Sequence, residues 1–222
     1  MPKDYNSICT ELKQTNTKLI AVSKTKPNDA IQELYELGQR DFGENKVQEL
    51  VDKYEQLPKD IRWHLIGHLQ TNKVKYIAPF VHLVHSVDSL KLLLEIEKQA
   101  AKVARTISVL LQIHIAEEET KFGLDNTEVI EILEYYTALN SPLQHIQIVG
   151  LMGMATNTDD MDVRQKEFAH LQQLFLFVKQ GYLLHKTDFT ELSMGMSDDY
   201  PTAIQEGSTM VRIGSLLFGK RD

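Results

Sequence analysis

The stretch that decides the fold is LIAVSKTKP, residues 19–27. Its first five residues are apolar or β-prone, and they predict a strand that ends just before Lys24. Pro27 blocks continuation of the strand. The next residues, NDAIQELYEL at 28–37, have the apolar spacing of a helix. The sequence therefore predicts a strand, a turn that carries a lysine, and then a helix.

The same alternation of strand and helix patterns continues along the chain. Short β-prone runs predict eight strands, at 19–23, 40–44, 63–67, 83–87, 109–115, 146–152, 190–195 and 210–214. Helical periodicity occurs at 28–38, 46–57, 88–105, 126–139 and 160–180, with short helices at 71–78 and 199–207. One more helix, at roughly 4–17, precedes the first strand and is expected on the outside or bottom of the fold.

This alternation predicts the α/β class and a (β/α)8 TIM barrel, with residues 1–222 forming a single domain that carries an extra N-terminal helix. An open doubly wound sheet is the alternative. It is disfavoured because the chain has no G-x-G-x-x-G or G-x-x-x-x-G-K-[ST] phosphate loop.

Composition narrows the classes of function. The net charge of −7 argues against nucleic-acid binding, which normally needs a basic face. The single cysteine, Cys9, cannot form an internal disulfide, which favours a reducing compartment. The N-terminal residues lack the apolar core of a signal peptide, and no uncharged apolar run is long enough to span a membrane. We therefore expect a cytoplasmic protein.

Lys24 is the first candidate functional residue. Enzymes with this barrel place their chemistry at the C-terminal ends of the strands, where Lys24 is predicted to lie. Apolar neighbours would lower the pKa of its amine and make it nucleophilic toward aldehydes, with which it would form a Schiff base. The alternative is a surface lysine whose stem covers the core.

Further polar residues follow the ends of the predicted strands. If the barrel forms, one mouth presents Lys24, Asn45, His64, Ser197 and Arg212, with Gly214 and Ser215 just beyond.

The turns after strands seven and eight suggest a phosphate site. Gly214 would let the backbone approach a ligand, and Ser215 would begin a short helical turn whose amides can bind an anion. Ser197 ends the small-residue turn at 193–197 and would contribute a hydroxyl, or would only cap the next helix. Arg212 lies within an apolar strand, so it needs either a buried ion-pair partner or a ligand.

Two other pairs of polar residues give weaker indications of function. His64 and His68 lie on either side of Gly67 without a carboxylate or third histidine nearby, so no metal site is predicted. Asp198 and Asp199 resemble an acid–base pair but fit the first turn of a helix, where negative charge is favourable.

Five ordered motifs are similar to those of a known family: AVSKTKP (21–27), FGENKVQE (42–49), WHLIGHLQTNK (63–73), LSMGMSDDYPTAI (192–204) and GSTMVRIG (207–214). Together they resemble the pyridoxal phosphate homeostasis protein family, which is related to the N-terminal barrel of alanine racemase. The resemblance covers nearly the whole chain.

The resemblance implies a site for pyridoxal 5′-phosphate. Lys24 would form the internal aldimine, and Arg212 would face the pyridine nitrogen. The phosphate would be held by Ser197, Gly214 and Ser215. Asn45 would line the surroundings of the cofactor, and His64 would lie near the pocket. Lys26 and Lys121 match family lysines near the mouth that have no assigned chemistry.

The resemblance also implies a carrier that keeps the free cofactor in balance, with cofactor-dependent apo-enzymes as recipients and a monomer as the expected state. An arginine would leave the ring nitrogen unprotonated and the ring a poor electron sink, which argues against catalysis. Too few residues follow Phe218 for the second domain that brings alanine racemase its other base. The alternatives are an amino-acid racemase and a phosphosugar enzyme that uses Lys24 as a Schiff-base lysine.

Overall fold

Eight parallel strands close into a barrel in which each strand pairs with the next and β8 pairs with β1. The structure is a computed structural model that describes residues 5–118 and 122–219. The strands are β1 Lys18–Val22, β2 Asp41–Glu44, β3 Arg62–Leu65, β4 Leu83–Val87, β5 Ile107–Ile113, β6 Ile146–Gly153, β7 Glu191–Met196 and β8 Met210–Ile213. The predicted (β/α)8 barrel is confirmed.

Helices lie on the outside of the barrel. They are α1 Tyr5–Gln14, α2 Asn28–Glu36, α3 Val47–Gln56, α4 Val74–Ile77 (entered through a 3₁₀ turn, Thr71–Lys73), α5 Leu90–Lys102, α6 Asn126–Thr137, α7 Met161–Gly181, α8 Tyr200–Gln205 and α9 Ser215–Phe218. Of these, α2 to α8 connect successive strands, α1 precedes β1 and α9 follows β8. No helix in the described part of the chain has both the length and the apolar character needed to cross a bilayer.

Side-chain caps set several helix starts. Asp125 and Glu128 form a complete capping box at the start of α6. At α5, the Ser89 hydroxyl accepts a hydrogen bond from Leu92 N, so the helix begins at Leu90, two residues later than the periodicity predicts.

The barrel has an apolar core on each side of its wall. Outside, the helices cover the strands with one large cluster of buried side chains. Inside, a smaller cluster is formed by Ile20, Leu83, Leu110, Val149, Met152 and Met210. The additional helix α1 lies outside, where its Ile8 and Leu12 belong to a cluster with residues of β1 and β8. It therefore covers the seam at which the barrel closes.

Candidate functional site

A cavity of about 270 Å³ opens at the C-terminal ends of the strands. This volume is close to the lower end of small-molecule sites, which begin at about 300 Å³. Six of the seven predicted site residues line it: Lys24, Asn45, Ser197, Arg212, Gly214 and Ser215. The apolar part of its lining is supplied by Val22, Ile66, Met154 and Met196.

Lys24 sits on a constrained turn. Its side chain is half-buried, and the next residue, Thr25, has a φ of +65°. This left-handed conformation is strained for a β-branched residue, so the surrounding structure must hold it. Thr25 N donates a hydrogen bond of 2.6 Å to Glu49 Oε1 on α3, which ties the turn to that helix.

A buried ion-pair network lies beneath this turn. Lys53 Nζ on α3 binds Glu44 Oε1 at 2.8 Å, Glu49 Oε1 at 2.7 Å and the Ser23 carbonyl at 2.8 Å. The Ser23 hydroxyl donates to the same Glu44 oxygen at 2.6 Å. Burial raises the pKa of Glu44, although the Lys53 ammonium opposes that rise. The network thus fixes both residues that flank Lys24, Ser23 and Thr25.

Arg212 on β8 reaches the cavity from inside the barrel and is only 4% exposed. Its guanidinium donates to Ser193 O at 2.8 Å, Ser193 Oγ at 2.7 Å and Gly153 O at 3.0 Å. Burial lowers the pKa of Arg212 to about 10, and the Asp199 carboxylate opposes that fall. The group therefore stays protonated at neutral pH and can only donate hydrogen bonds.

Asn45 offers a buried acceptor on the same cavity. It follows β2, and its Oδ1 has no hydrogen-bond partner among the described residues. A buried acceptor without a partner is costly in a folded protein unless a ligand or water supplies a donor. The cavity wall therefore favours a ligand that carries a hydrogen-bond donor.

The turns after β7 and β8 are joined to each other. Gly214 N donates to Ser197 Oγ at 3.3 Å, and Ser215 begins α9. The cap position of α8 is Asp199, so the interpretation of Ser197 as an N-cap is wrong. A Cβ on Gly214 would come within 3.1 Å of Val22 O. An alanine here would need β1 to shift by a few tenths of an ångström, so the glycine favours close packing against β1.

Lys26 anchors the last helix, because its Nζ donates to Phe218 O at 3.0 Å. With Lys24 and Arg212, it gives the described cavity lining three cationic side chains against one carboxylate, Asp198. In a chain with a net charge of −7, this local excess of positive charge favours an anionic ligand. Lys121 lies outside the described residues.

Comparison with known proteins decides the family. The sequence model of the family described as "Alanine racemase, N-terminal domain" matches residues 3–222. A pyridoxal phosphate homeostasis protein of Aquifex aeolicus is 40% identical over 205 residues, which are 92% of this chain and 87% of the relative. One from Helicobacter pylori is 41% identical over 90% of this chain and 86% of its own. The chain belongs to the pyridoxal phosphate homeostasis protein family.

Solved structures agree with this family assignment. The chain superimposes on Synechococcus elongatus PipY without PLP with a TM-score of 0.88, at 36% identity, over 96% of this chain and 99% of PipY. A structure of PipY with PLP bound gives a TM-score of 0.84 at the same identity and coverage. Alanine racemase from Bartonella henselae, at 18% identity and a TM-score of 0.68, shares the fold.

One of the predicted site residues, His64, lies away from the first cavity. It does not line the first cavity but a second one, at the end of the barrel where the strands begin, together with Asp41 and His82. His64 lies within β3, and its ring points into the barrel, where it contacts Asp41 and His85. We therefore remove His64 from the proposed cofactor site.

The second cavity holds a trio that could bind a metal ion: ligand atoms of Asp41, His64 and His82 lie within 4.8 Å of one another. The Arg62 guanidinium, however, binds both oxygens of Asp41, and His64 Nε2 lies 3.0 Å from Oδ1. A metal ion would have to compete with these bonds for the carboxylate, so we assign the trio no metal.

Sequence reasoning missed Glu44 and Lys53 as supports of the candidate site. Glu44 belongs to the FGENKVQE motif and is a charged residue at the end of a buried strand, whereas Lys53 lies beyond that motif on α3. A strand carboxylate in an apolar context needs a partner. That signal could have identified Glu44, but not the lysine that pairs with it.

Proposed function

We propose that this chain binds pyridoxal 5′-phosphate in the first cavity and takes part in the homeostasis of that cofactor. The observation that carries the proposal is the composition of the cavity. It combines a half-buried lysine on a strained turn, a buried arginine held from within the barrel, and two joined turns that contribute serine hydroxyls. The family membership and the PLP-bound structure of PipY support it.

Each residue has a distinct role in the proposal. Lys24 would supply the amine that condenses with the aldehyde group of the cofactor, with loss of its oxygen as water. Arg212 would donate a hydrogen bond to the pyridine nitrogen from one of the N–H groups not used by Ser193 or Gly153.

The phosphate end is held by the two joined turns. Ser197 and Ser215 present hydroxyls, and the amides of Gly214 and Ser215 lie in the turn that starts α9, where the first N–H groups have no partner within the helix. Asn45 accepts a hydrogen bond from the ligand through its unpaired Oδ1.

We propose a carrier rather than an enzyme. When bound, the cofactor supplies an aldehyde that reacts with amines and a ring that can withdraw electrons. Arg212 stays protonated and can only donate, so it leaves the ring nitrogen without a proton and weakens that withdrawal. A racemase also needs a second base opposite Lys24. His64 lies in the other cavity, which leaves Asp198 as the carboxylate on the described lining.

The covalent assignment is tested by borohydride reduction and peptide mapping. The purified protein should absorb visible light, and reduction should fix a pyridoxyl group on Lys24. Lys24→Ala should lose the band of the lysine-bound cofactor yet keep some non-covalent cofactor, because the charged contacts to the phosphate persist. Lys26→Ala is the matched control and should keep the band. Label found mainly on Lys26, or a colourless preparation, would contradict the proposal.

Two further assays separate the alternatives. A phosphate-anchored site should prefer pyridoxal 5′-phosphate to pyridoxal, and equal affinities would contradict it. The carrier role predicts negligible solvent-deuterium exchange at Cα across a panel of amino acids. Rapid exchange with formation of the D-isomer, lost in both Lys24→Ala and Asp198→Asn, would establish a racemase. Cofactor-dependent apo-enzymes are the proposed recipients, and their reactivation by the loaded protein tests this.

A further inference from the structure

A chain of hydrogen bonds crosses the interior of the barrel from Arg212 to the second cavity. It passes through side chains of five strands, β8, β7, β4, β3 and β2. The contacts are Arg212 Nη1 to Ser193 Oγ at 2.7 Å, Ser193 Oγ to His85 Nδ1 at 3.0 Å, His85 Nε2 to His64 Nδ1 at 2.9 Å and His64 Nε2 to Asp41 Oδ1 at 3.0 Å. The two ends of the barrel are therefore connected by polar contacts.

The end groups fix the direction of this chain. Arg212 can only donate, and the ionised Asp41 can only accept. Ser193 therefore accepts from Arg212 and donates to His85 Nδ1, and His85 donates from Nε2 to His64 Nδ1. His64 then donates from Nε2 to Asp41. Every member is satisfied when both histidines are neutral and carry their proton on Nε2.

Electrostatics agree with a neutral His85 and an ionised Asp41. Burial lowers the pKa of His85 well below its ordinary value, and the positive charge of Arg212 lowers it further. Burial alone would raise the pKa of Asp41, but hydrogen bonds from Arg62 and His64 outweigh it and hold the pKa well below the usual range.

Within the described residues Arg212 forms no ion pair, so hydrogen bonds, including the one to Ser193 Oγ, must compensate its charge. None of the carboxylates in the described residues pairs with its guanidinium, although the side chain is buried. A buried cation is costly unless hydrogen bonds and oriented dipoles compensate its charge. The Ser193 hydroxyl supplies one such dipole, and its orientation is set by His85, His64 and Asp41.

We propose that Asp41, His64, His85 and Ser193 are positioning residues for Arg212: their hydrogen-bonded chain sets the orientation of the guanidinium, so a charge change in the second cavity alters the cofactor site at the opposite end. The proposal rests on the proposed function only where it refers to the bound cofactor. The hydrogen-bonded chain of side chains is present without the cofactor, so it can be tested in the cofactor-free protein.

The first experiment uses cofactor-free protein. Spectra of protein labelled with ¹⁵N in histidine and arginine should show His64 and His85 neutral and protonated on Nε2. Asp41→Asn should shift the ring signals of both histidines and the side-chain N–H signals of Arg212. Asp188→Asn makes the same substitution at another carboxylate of the second cavity, outside the chain, and should leave the signals of His85 and Arg212 unchanged.

A second variant tests the chain from its other end. Ser193→Ala removes the hydroxyl and should shift the ring signals of His85 and His64, so the experiment is informative even if Asp41→Asn fails to fold. A proton on Nδ1 of His85 in the wild type, or Arg212 signals that respond equally to Asp41→Asn and Asp188→Asn, would overturn the proposal.

The second experiment uses protein loaded with pyridoxal 5′-phosphate. Asp41→Asn should move the absorption maximum of the bound cofactor and weaken its affinity by about tenfold, the effect of losing one charged hydrogen bond. Asp188→Asn should do neither. Wild-type protein that binds no cofactor would refute the proposed function while the NMR result stands. A loaded wild type whose spectrum and affinity are unchanged by Asp41→Asn would refute the positioning role alone.

Discussion

Replacing Lys53 with methionine removes the cation from the ion-pair network beneath the turn that carries Lys24. Methionine has a similar length and keeps the apolar stem, so the substitution removes mainly the charge. Lys53 and Glu44 have side chains that are 7% and 0% exposed, which leaves the Glu44 carboxylate buried without a cation. Breaking a buried ion pair in this way costs about 3–5 kcal/mol.

The stability lost in Lys53→Met should depend on pH. Burial already raises the pKa of Glu44 above its ordinary 4.5, and removal of the Lys53 ammonium raises it further. The folded variant then holds a proton that the unfolded chain releases, so its stability falls as pH rises from 4.5 through the pKa of the folded state. The deficit relative to wild type should therefore be larger at pH 7 than at pH 5.

Urea unfolding followed by circular dichroism measures both effects. For a cost of about 3–5 kcal/mol, the midpoint at pH 7 should fall by about 1.5 M at an unchanged slope. Lys91→Met, at an exposed position on α5, should change the free energy of unfolding by less than about 0.5 kcal/mol. Adding Glu44→Gln to Lys53→Met should recover part of the loss. A midpoint equal to that of Lys91→Met would refute the reasoning.

Three further predictions concern stability. Gly150→Ala should prevent folding, because its Cβ would lie 1.7 Å from a backbone oxygen on β7. Gly181→Ala, whose Cβ would have no atom within 4 Å, should be neutral or stabilising by up to about 1 kcal/mol. Soluble yield and thermal melts compare the two variants. Asp125→Ala should cost about 1 kcal/mol in urea unfolding through loss of the α6 capping box. The lowered pKa of Asp41 stabilises the folded state at pH values above 3.8, the ordinary pKa of aspartate, and this contribution is lost as the pH falls below 3.8. The loss of stability caused by Asp41→Asn should therefore be smaller in acid. A loss that stays constant from pH 7 to pH 3 would count against this.

The sequence predicted the barrel well because parallel strands buried on both faces leave short apolar runs at regular intervals. Six of the predicted site residues line one cavity, since the rule that barrel sites lie at strand ends needs only approximate strand bounds. His64 was misplaced because β3 runs from Arg62 to Leu65, and only the three-dimensional structure shows that its ring points into the barrel. Lys53 pairs with Glu44 through the packing of α3 on β2, which no local pattern contains.

The seam of the barrel has a consequence for synthesis. Lys24 follows β1, whereas Arg212, Gly214 and Ser215 belong to or follow β8, the partner that closes the circle by pairing Lys18–Ala21 with Met210–Ile213. During translation, Lys24 is synthesised long before Arg212 emerges from the ribosome. Nascent or truncated chains that lack β8 would therefore have Lys24 without the rest of the cavity. Under the proposed function, only a closed barrel could withdraw cofactor from the cellular pool.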